Sequence, residues 1–346
     1  MPDFEERKVG PVDANSSAQS SQMRGEELDF TIEQGDRVTK DRSDITYSSQ
    51  GDTFDDLAGT RVKTQLQLAT RRFFRHRLAV VSLSVFIGLL ILSVAGGDFW
   101  QYNYSQITAQ FSTGPSWGHP FGTDQIGHDL FAQVLRGTLT SIETSLLVAV
   151  IATTIGTVFG ALAGYYGKLV DASLMRFTDL VLTVPVLAIL LVLSNLLSKT
   201  AGSSVGLALI LAGVLWTYLA RLVRGTFLSL RRQDYVEAAR ALGARDARII
   251  LRHMLPNALG PIIVNATLTV ANAILIEAAL SFLGLGIQAP QVSLGLLIQQ
   301  GEGAAITQPW LFVFPALFLV AIVLCVNFVG DGLRDSLDPR QGRVRE

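Results

Sequence analysis

The chain has 346 residues and a formal net charge of −1, and 49% of its residues are hydrophobic. Its mean hydropathy of +0.38 is high for a soluble protein of this length, and its apolar residues form long runs, which is typical of a membrane protein. The single cysteine, Cys325, excludes a disulfide framework and a cysteine metal site.

The beginning of the chain differs in charge from the rest. The first 60 residues contain 14 acidic and 6 basic residues, are rich in Ser and Asp, and lack the positive-then-apolar pattern of a signal peptide. Such a segment buries too little apolar surface to fold alone. Residues 1–70 are therefore predicted to be a disordered, acidic cytoplasmic tail, and recruitment of a partner by this tail is the alternative.

Six stretches reach the roughly 20 apolar residues that a membrane helix requires. They are Leu78–Ala95, Ser145–Tyr166, Leu174–Leu197, Val205–Phe227, Ala258–Leu283 and Trp310–Val329. We therefore predict an all-α membrane protein with six transmembrane helices. The small residues in GTVFGALAG, at 156–164, predict close contact between two of these helices.

The arginines alternate between the two sides of these spans. Four lie at 71–77, six in the connection 228–257 and four at 334–345, whereas the loop 284–309 has none. Because cytoplasmic loops carry the excess of Lys and Arg, both termini and the 228–257 connection are predicted to be cytoplasmic. The predicted organisation is the tail 1–70, a first span with an external segment 71–140, a membrane core 141–335 and a cytoplasmic tail 336–346.

The external segment contains GTDQIGHDLFAQVLRG at 122–137. It is predicted to form an amphipathic helix on the outer membrane surface, capped by Thr123 or Asp124. His128 and Asp124 are four residues apart, a spacing that suits two metal ligands on a helix. No third imidazole lies nearby, so we predict no metal site.

Charged and amide side chains inside the spans are expected to be paired or to face water or protein. Asp179 is predicted to pair with Arg176, three residues before it. Glu277 has no basic residue nearby in sequence and must face the bundle interior, a partner chain or a water-filled path. Together with Asn265 and Asn272 it is a candidate for the translocation path or a subunit contact, with ordinary helix–helix hydrogen bonding as the alternative for the amides.

The 228–257 connection is predicted to hold two short helices. The first covers 234–242, with Glu237 placed to pair with Arg240. Gly243 suits a helix stop, since glycine readily adopts the left-handed conformation.

The second helix has Asp246 in its first turn, where negative charge is favourable, and Pro256 is predicted to end it. Two faces follow from helical spacing. The basic stripe consists of Arg245, Arg248 and Arg252, and the apolar face consists of Ala247, Ile250, Leu251 and Met254.

Ala238 and Ala239 leave the first helix with a face that another protein can approach closely. We therefore interpret the connection as a protein-docking element. A basic amphipathic hairpin that lies on anionic headgroups is the alternative.

The spacing of the connection is specific. Glu237-Ala238-Ala239, three residues, Gly243, nine residues and then His253-Met254-Leu255-Pro256-Asn257 resemble the EAA loop of ABC importer membrane subunits. The resemblance implies the type I ABC importer transmembrane fold and a coupling helix that sits in a cleft of a cytosolic ATPase. The residues implied to dock are Glu237, Ala238, Ala239, Arg240, Gly243, Arg248, His253 and Pro256.

Four further segments are similar to the C-type permease subunit of dipeptide and oligopeptide importers. They are HPFGTDQIGHDLFAQVLRG at 119–137, LMRFTDLVLTVP at 174–185, EAALSFLGLG at 277–286 and GDGLRDSLDPR at 330–340. The first departs from the family at His128, where Arg is common.

This resemblance implies a multi-pass permease of the bacterial inner membrane that imports di- or oligopeptides by alternating access. Nickel complexes or another small solute are the alternative cargo. The implied partners are a homologous permease, two cytosolic ABC ATPases, an extracytoplasmic solute-binding protein and the lipid bilayer. No nucleic-acid partner is implied.

The sequence lacks the residues of an ATP-hydrolysing site. GYYGKL, at 164–169, is preceded by Leu162 where a P-loop requires Gly and ends at Leu169 where it requires Ser or Thr. The chain is therefore predicted to be non-catalytic and without cofactor, with energy supplied by a separate protein. A stand-alone secondary transporter would show an internal repeat with interrupted helices, which we do not find. A membrane scaffold with a lipid-binding hairpin is a third hypothesis.

Overall fold

The computed structural model describes residues 65–337, and regular structure in this range is helical. The helices are α1 (Gln65–Arg75), α2 (Arg77–Phe99), α3 (Leu130–Tyr166), α4 (Lys168–Thr183), α5 (Val186–Leu196), α6 (Ser198–Ala201), α7 (Ser204–Leu230), α8 (Asp234–Ala241), α9 (Asp246–Arg248), a π-helical turn (Ile249–Met254), α10 (Leu255–Phe282), α11 (Leu294–Glu302) and α12 (Trp310–Leu337). Most of the predicted acidic tail and nearly all of the C-terminal tail lie outside the described residues.

Within this range, five helical segments are long and apolar enough to cross a membrane, namely α2, α3, α7, the continuous segment from α9 through the π-helical turn to α10, and α12. The helices α4 and α5 meet that requirement only together, as one span bent by 84°. The prediction of six spans therefore holds if the bent pair is one span, but the predicted continuous helix 174–197 is wrong. Pro185 breaks it, because proline lacks a backbone donor and forces Val184 into an extended conformation (ψ 134°).

The helix α3 begins much earlier than the predicted second span. Asp129 caps it, since its Oδ1 accepts a hydrogen bond from the Ala132 backbone N–H at 2.8 Å. Leu130 and Val134 are buried in the core, so the predicted amphipathic helix on the membrane surface and its cap at Thr123 or Asp124 are wrong. Asp124 lies in a tight turn, where Oδ1 accepts from three successive backbone N–H groups, those of Ile126, Gly127 and His128.

The external segment is fastened to the start of α3 by buried polar contacts. His119 Nδ1 lies 2.6 Å from Asp129 Oδ2, and Trp100 donates its indole N–H to Asp129 Oδ1 at 3.1 Å. Tyr102 stacks on the imidazole of His119. The carboxylate of Asp129 therefore holds the end of α2, the external segment and the first turn of α3 together.

Three glycines of α3 bring it into close contact with α7. A Cβ atom at Gly156 or Gly160 would lie 2.7 or 2.5 Å from a backbone oxygen of α7, that of Trp216 or Ala220, and one at Gly164 would lie 2.5 Å from Phe227 Cβ. Because these glycines recur every four residues, they share one face of α3. The close helix contact predicted from 156–164 is confirmed.

The remaining helices pack around this pair in three apolar clusters. One joins the first half of α3 to α10, α11 and α12, and a second joins α3, α5, α7 and α10. The third lies where α3 and α7 end and the 228–257 connection begins. The α3–α7 pair therefore contributes to the core at both ends of the bundle.

Replacing Gly160 by Val is expected to force α3 and α7 apart, because the new Cβ would overlap the Ala220 carbonyl oxygen. Overpacking of this kind costs about 2 kcal/mol, which should lower the thermal unfolding midpoint of the detergent-purified protein by several degrees. Gly213→Val on α7, where a Cβ meets no atom within 4 Å, is the control. Equal midpoints for the two variants would contradict the close contact.

Candidate functional site

The first helix of the 228–257 connection ends in a tight glycine turn. Gly243 has φ +77° and donates its N–H to the Arg240 carbonyl at 3.0 Å, and Ala244 donates to the Ala239 carbonyl at 3.1 Å. This pair of bonds is a Schellman motif, in which the left-handed residue reverses the chain after a helix. The predicted helix stop at Gly243 is confirmed, and no heavy atom lies within 4 Å of a Cβ placed there.

The second helix does not end at Pro256, so that prediction is wrong. The chain passes from α9 through the π-helical turn into α10, and Pro256 occupies the first turn of α10. Leu255 donates its N–H to the carbonyl of Ile250, five residues earlier, as a π-helix requires. Proline is tolerated here because the first turn of a helix needs no donor from it.

The π-helical turn also changes which side chains are buried. Ile249 and Met254, five residues apart, are both fully buried, whereas Leu251 is 63% exposed. The predicted apolar face is therefore correct for Met254, only partly for Ile250, and wrong for Ala247 and Leu251. The spacing of buried positions follows the wider turn instead of the 3.6-residue period on which the prediction relied.

The buried side of the connection packs on the ends of two spans. Val236 and Ala239 from α8 join Ile249 and Met254 in the third apolar cluster. Their neighbours in that cluster include Val223 and Phe227 of α7 and Ala258 and Ile262 of α10. The connection is thus seated on the bundle as a folded unit.

The opposite side of the connection is exposed, and it carries most of the residues that the motif singles out. Glu237, Ala238, Arg240, Gly243, Arg248 and Pro256 are exposed, His253 is half-buried, and Ala239 is buried. The basic stripe of Arg245, Arg248 and Arg252 is exposed as well. This surface offers small side chains, an open glycine turn and positive charge.

Arg240 does not pair with Glu237 in the described part of the chain. Its guanidinium lies over the ring of Tyr165 at the end of α3, with 5.8 Å between Cζ and the ring centroid. The Tyr165 hydroxyl donates to Asp246 Oδ1 at 2.7 Å, and the side chain is 4% exposed. Tyr165 therefore links both short helices to α3. Its contact with Asp246 spans 81 residues of sequence, so no local pattern predicts it.

Charges on α4 pair with arginines of α7, not within their own helix. Arg221 Nη2 lies 2.5 Å from Asp179 Oδ1, so the predicted pairing of Asp179 with Arg176 is wrong. One turn closer to the end of α7, Arg224 donates to both carboxylate oxygens of Asp171, from Nε to Oδ1 and from Nη2 to Oδ2, the latter at 2.6 Å. These pairs join the two helices side by side.

Glu277 faces the interior of the chain itself. Its side chain is fully buried and accepts hydrogen bonds from Ser141 at 2.9 Å and from Ser281 at 2.8 Å. The Ser141 oxygen also accepts from the Leu294 backbone N–H at 3.4 Å. The carboxylate is thus the centre of a polar cluster that joins α3, α10 and the start of α11.

The two asparagines of α10 are less enclosed. Asn272 is exposed near the middle of the span, and Asn265, on nearly the same face, is half-buried. Neither side chain belongs to the polar cluster around Glu277. The amides on this face of α10 therefore remain available to a neighbouring molecule.

Comparisons with known proteins agree with this geometry. Residues 156–343 match the family described as the inner membrane component of binding-protein-dependent transport systems, and residues 64–115 match the N-terminal transmembrane domain of oligopeptide transport permease C.

Two relatives and one structure are informative. The oligopeptide transport system permease protein OppC of Mycobacterium tuberculosis is 42% identical over 287 residues, which cover 83% of this chain and 98% of that protein. OppC of Haemophilus influenzae is 40% identical over 278 residues, covering 79% and 88%. A chain of the MetNI methionine ABC transporter in an inward-facing conformation aligns with a TM-score of 0.50 at 19% identity, over 60% of this chain and 98% of that one, which shows the fold.

Replacing Glu277 by Ala is expected to destabilise the bundle, because two buried serine hydroxyls lose their acceptor and a cavity remains. The free energy of unfolding should fall by about 3 kcal/mol, read as a lower thermal midpoint of the purified chain. Glu277→Gln, which keeps an acceptor oxygen, should lose less. Glu143→Ala on the exposed side of α3 is the matched control, and an unchanged midpoint for Glu277→Ala would refute the cluster's role.

Proposed function

Because this chain belongs to the family of inner-membrane components of binding-protein-dependent transport systems, we propose that it is the permease subunit of an ATP-driven importer of oligopeptides. The family is the one that its motifs predicted. In such systems the membrane component is not catalytic, and a separate subunit hydrolyses ATP. The observation that carries the proposal is the exposed glycine turn of the 228–257 connection, held against the ends of the spans by a buried face.

The cargo is proposed from the relatives. Proteins 40–42% identical over most of this chain are named oligopeptide permeases, and the segment 64–115 matches the N-terminal domain of that permease class. A peptide is therefore the solute that the comparisons favour over nickel complexes.

The exposed side of the connection is proposed to dock in a cleft of a cytosolic ATPase. Ala238 and Gly243 allow close backbone approach, while Glu237, Arg240 and Arg248 supply charged rim contacts. Ala239 supports this surface from beneath, since its methyl group is buried in the third apolar cluster. His253 and Pro256 lie beyond it, at the passage into α10.

Movement of the docked connection reaches the membrane by two routes. The first is continuous backbone, because α9, the π-helical turn and α10 follow one another without a loop. The second is the Tyr165 hydroxyl, which connects Asp246 to the end of α3. A push on the connection therefore displaces α3 and α10 together, which is how closure of the ATPases would change access to the path.

The remaining partners follow from the single connection in one chain. A homologous permease would supply the other half of the path, and a second ATPase would dock on it. An extracytoplasmic solute-binding protein would deliver the peptide. We further propose that Asn272 and Asn265 face this partner permease or the path, whereas Glu277 acts through the packing of α3 and α10, so that its loss impairs transport without releasing the ATPases.

Both termini and the 228–257 connection are proposed to be cytoplasmic, as the arginine distribution indicates. In a Cys325→Ala background, Arg248→Cys should react with a membrane-impermeant maleimide in inverted vesicles only. Ile306→Cys, at a 98% exposed position between α11 and α12, should react in right-side-out vesicles only. The reverse pattern would place the connection on the wrong side and remove the docking proposal.

Two variants of the connection should weaken ATPase docking. Glu237→Lys reverses a surface charge, and Gly243→Pro prevents the left-handed turn, since proline fixes φ near −65°. Each is expected to lower the amount of ATPase that copurifies with the full chain and its partner permease by about tenfold, equivalent to about 1.4 kcal/mol. Uptake of labelled trialanine by the complete transporter should fall in parallel.

Glu302→Lys is the matched control, because it reverses an exposed acidic residue at the end of α11, far from the connection in the fold. It should leave ATPase copurification unchanged. Full copurification of both connection variants would refute docking at this surface, and a wild-type transporter that takes up no di- or oligopeptide would refute the proposed cargo.

A further inference from the structure

Most exposed side chains of the outer spans are apolar. On α2 they are Leu78, Val81, Val85, Ile87, Ile91, Leu92 and Val94, and on α12 they are Val313, Leu317, Val320, Leu324 and Phe328. Such apolar faces are stable in contact with lipid chains.

The helix α7 differs along its length. Its first half exposes Val205, Leu209 and Gly213, whereas its second half exposes the polar side chains of Tyr218, Arg221 and Ser229 with Gly225 between them, which together are called the polar stripe. The members of the polar stripe are three or four residues apart and so share one face. Polarity thus appears on the exposed surface of α7 only in its second half.

Arg221 lies within the candidate span that α7 forms. It stands nine residues before the end of α7, roughly 14 Å along the axis, and Asp179 stands eleven residues after the start of α4, roughly 17 Å. Both side chains are 51% exposed although they pair at 2.5 Å. A charged pair at this depth is not stable against lipid, so it must face water or another protein.

The break in the α4–α5 span imposes the same requirement for water or protein on its surroundings. Thr183, Val184 and Pro185 are exposed, and the last carbonyl groups of α4 lack helical donors there. Irregular backbone at membrane depth occurs where it is buried in protein or lines water. Thr183 is four residues after Asp179 and so lies on the same side of α4, where its hydroxyl donates to the Asp179 backbone carbonyl at 2.8 Å.

A water-filled space suits the pair better than a protein interface. Two half-hydrated charges would lose their remaining water on burial against a partner, which is seldom repaid by their attraction. Ion pairs that keep their hydration are weak and open readily, and a free guanidinium binds a carboxylate through two parallel hydrogen bonds.

We propose that the polar stripe of α7, together with Asp179 of α4, forms part of the wall of the aqueous path, and that the Arg221–Asp179 pair opens to receive a zwitterionic solute. Arg221 then binds the solute's carboxylate and Asp179 its ammonium group, the two charges that a free peptide carries at its ends. The peptide assignment rests on the proposed function, whereas the aqueous wall rests on the geometry of α4 and α7.

Thiol labelling tests the wall without reference to the solute. Gly225→Cys and Gly213→Cys are matched, because both lie on α7 and a Cβ at either position meets no atom within 4 Å. In the assembled, nucleotide-free transporter in inverted vesicles, with Cys325 replaced by Ala, Gly225→Cys should react with a charged methanethiosulfonate at least about tenfold faster than Gly213→Cys. Leu324→Cys on α12 should react as slowly as Gly213→Cys.

Equal rates at Gly225 and Gly213 would overturn the proposal, since access would not follow the polar stripe. An unreactive Gly225→Cys that instead cross-links to the partner permease would identify an interface and would overturn it too.

Uptake of labelled trialanine tests the solute-binding role of the Arg221–Asp179 pair. Arg221→Gln should lower the rate about tenfold while ATPase copurification is unchanged, and Arg221→Lys should restore most of it because the positive charge returns. Normal uptake by Arg221→Gln would overturn the solute-binding role. If the wild-type transporter takes up no trialanine, the peptide part of both proposals fails, and labelling still decides whether the wall is aqueous.

Discussion

The close contact between α3 and α7 is the constraint on which the rest of the structure depends. Glycines at 156, 160 and 164 let the two backbones approach so closely that no side chain fits between them. In lipid, helices gain little from burying apolar surface against each other, so such small-residue packing supplies much of the attraction. Because the contact extends from Gly156 to Gly164, about two turns of α3, it fixes the rotation and the height of α7 relative to α3.

That fixed height decides what meets at the ends of the two helices. Tyr165, one residue after the last of these glycines, is brought to Asp246 and Arg240 of the 228–257 connection. Phe227, which Gly164 contacts, enters the apolar cluster that seats the connection. Under the proposed docking, we expect a movement of the connection to reach α3 and α7 as a unit, and α10 through the π-helical turn.

Local patterns predicted the elements whose cause is local. Hydropathy located the spans, and Gly243 marked a helix stop because a Schellman motif needs a left-handed residue. The failures have non-local or backbone causes. Asp179 pairs with Arg221 of α7, 42 residues away, and spacing rules within α4 cannot predict such a pair. The π-helical turn changes the spacing of buried residues from the 3.6-residue period with which the buried face was predicted. Asp124 lies in a tight turn and not at the helix start that was predicted for it.

Glu277 and Asp179, two acidic side chains inside the spans, show different solutions to one electrostatic problem. Glu277 is enclosed and accepts bonds from serines of two helices, so its charge or proton is held by parts of the bundle that must stay together. Asp179 is half-exposed and held only by a guanidinium of a neighbouring helix, next to a span that is already broken at Pro185. An enclosed cluster resists relative movement of its helices because every shift leaves a buried polar group unpaired. A hydrated pair carries no such penalty, since water replaces either partner. Movement during transport is therefore expected at α4 and α5 against α7, while α3, α10 and α11 move as one body around Glu277.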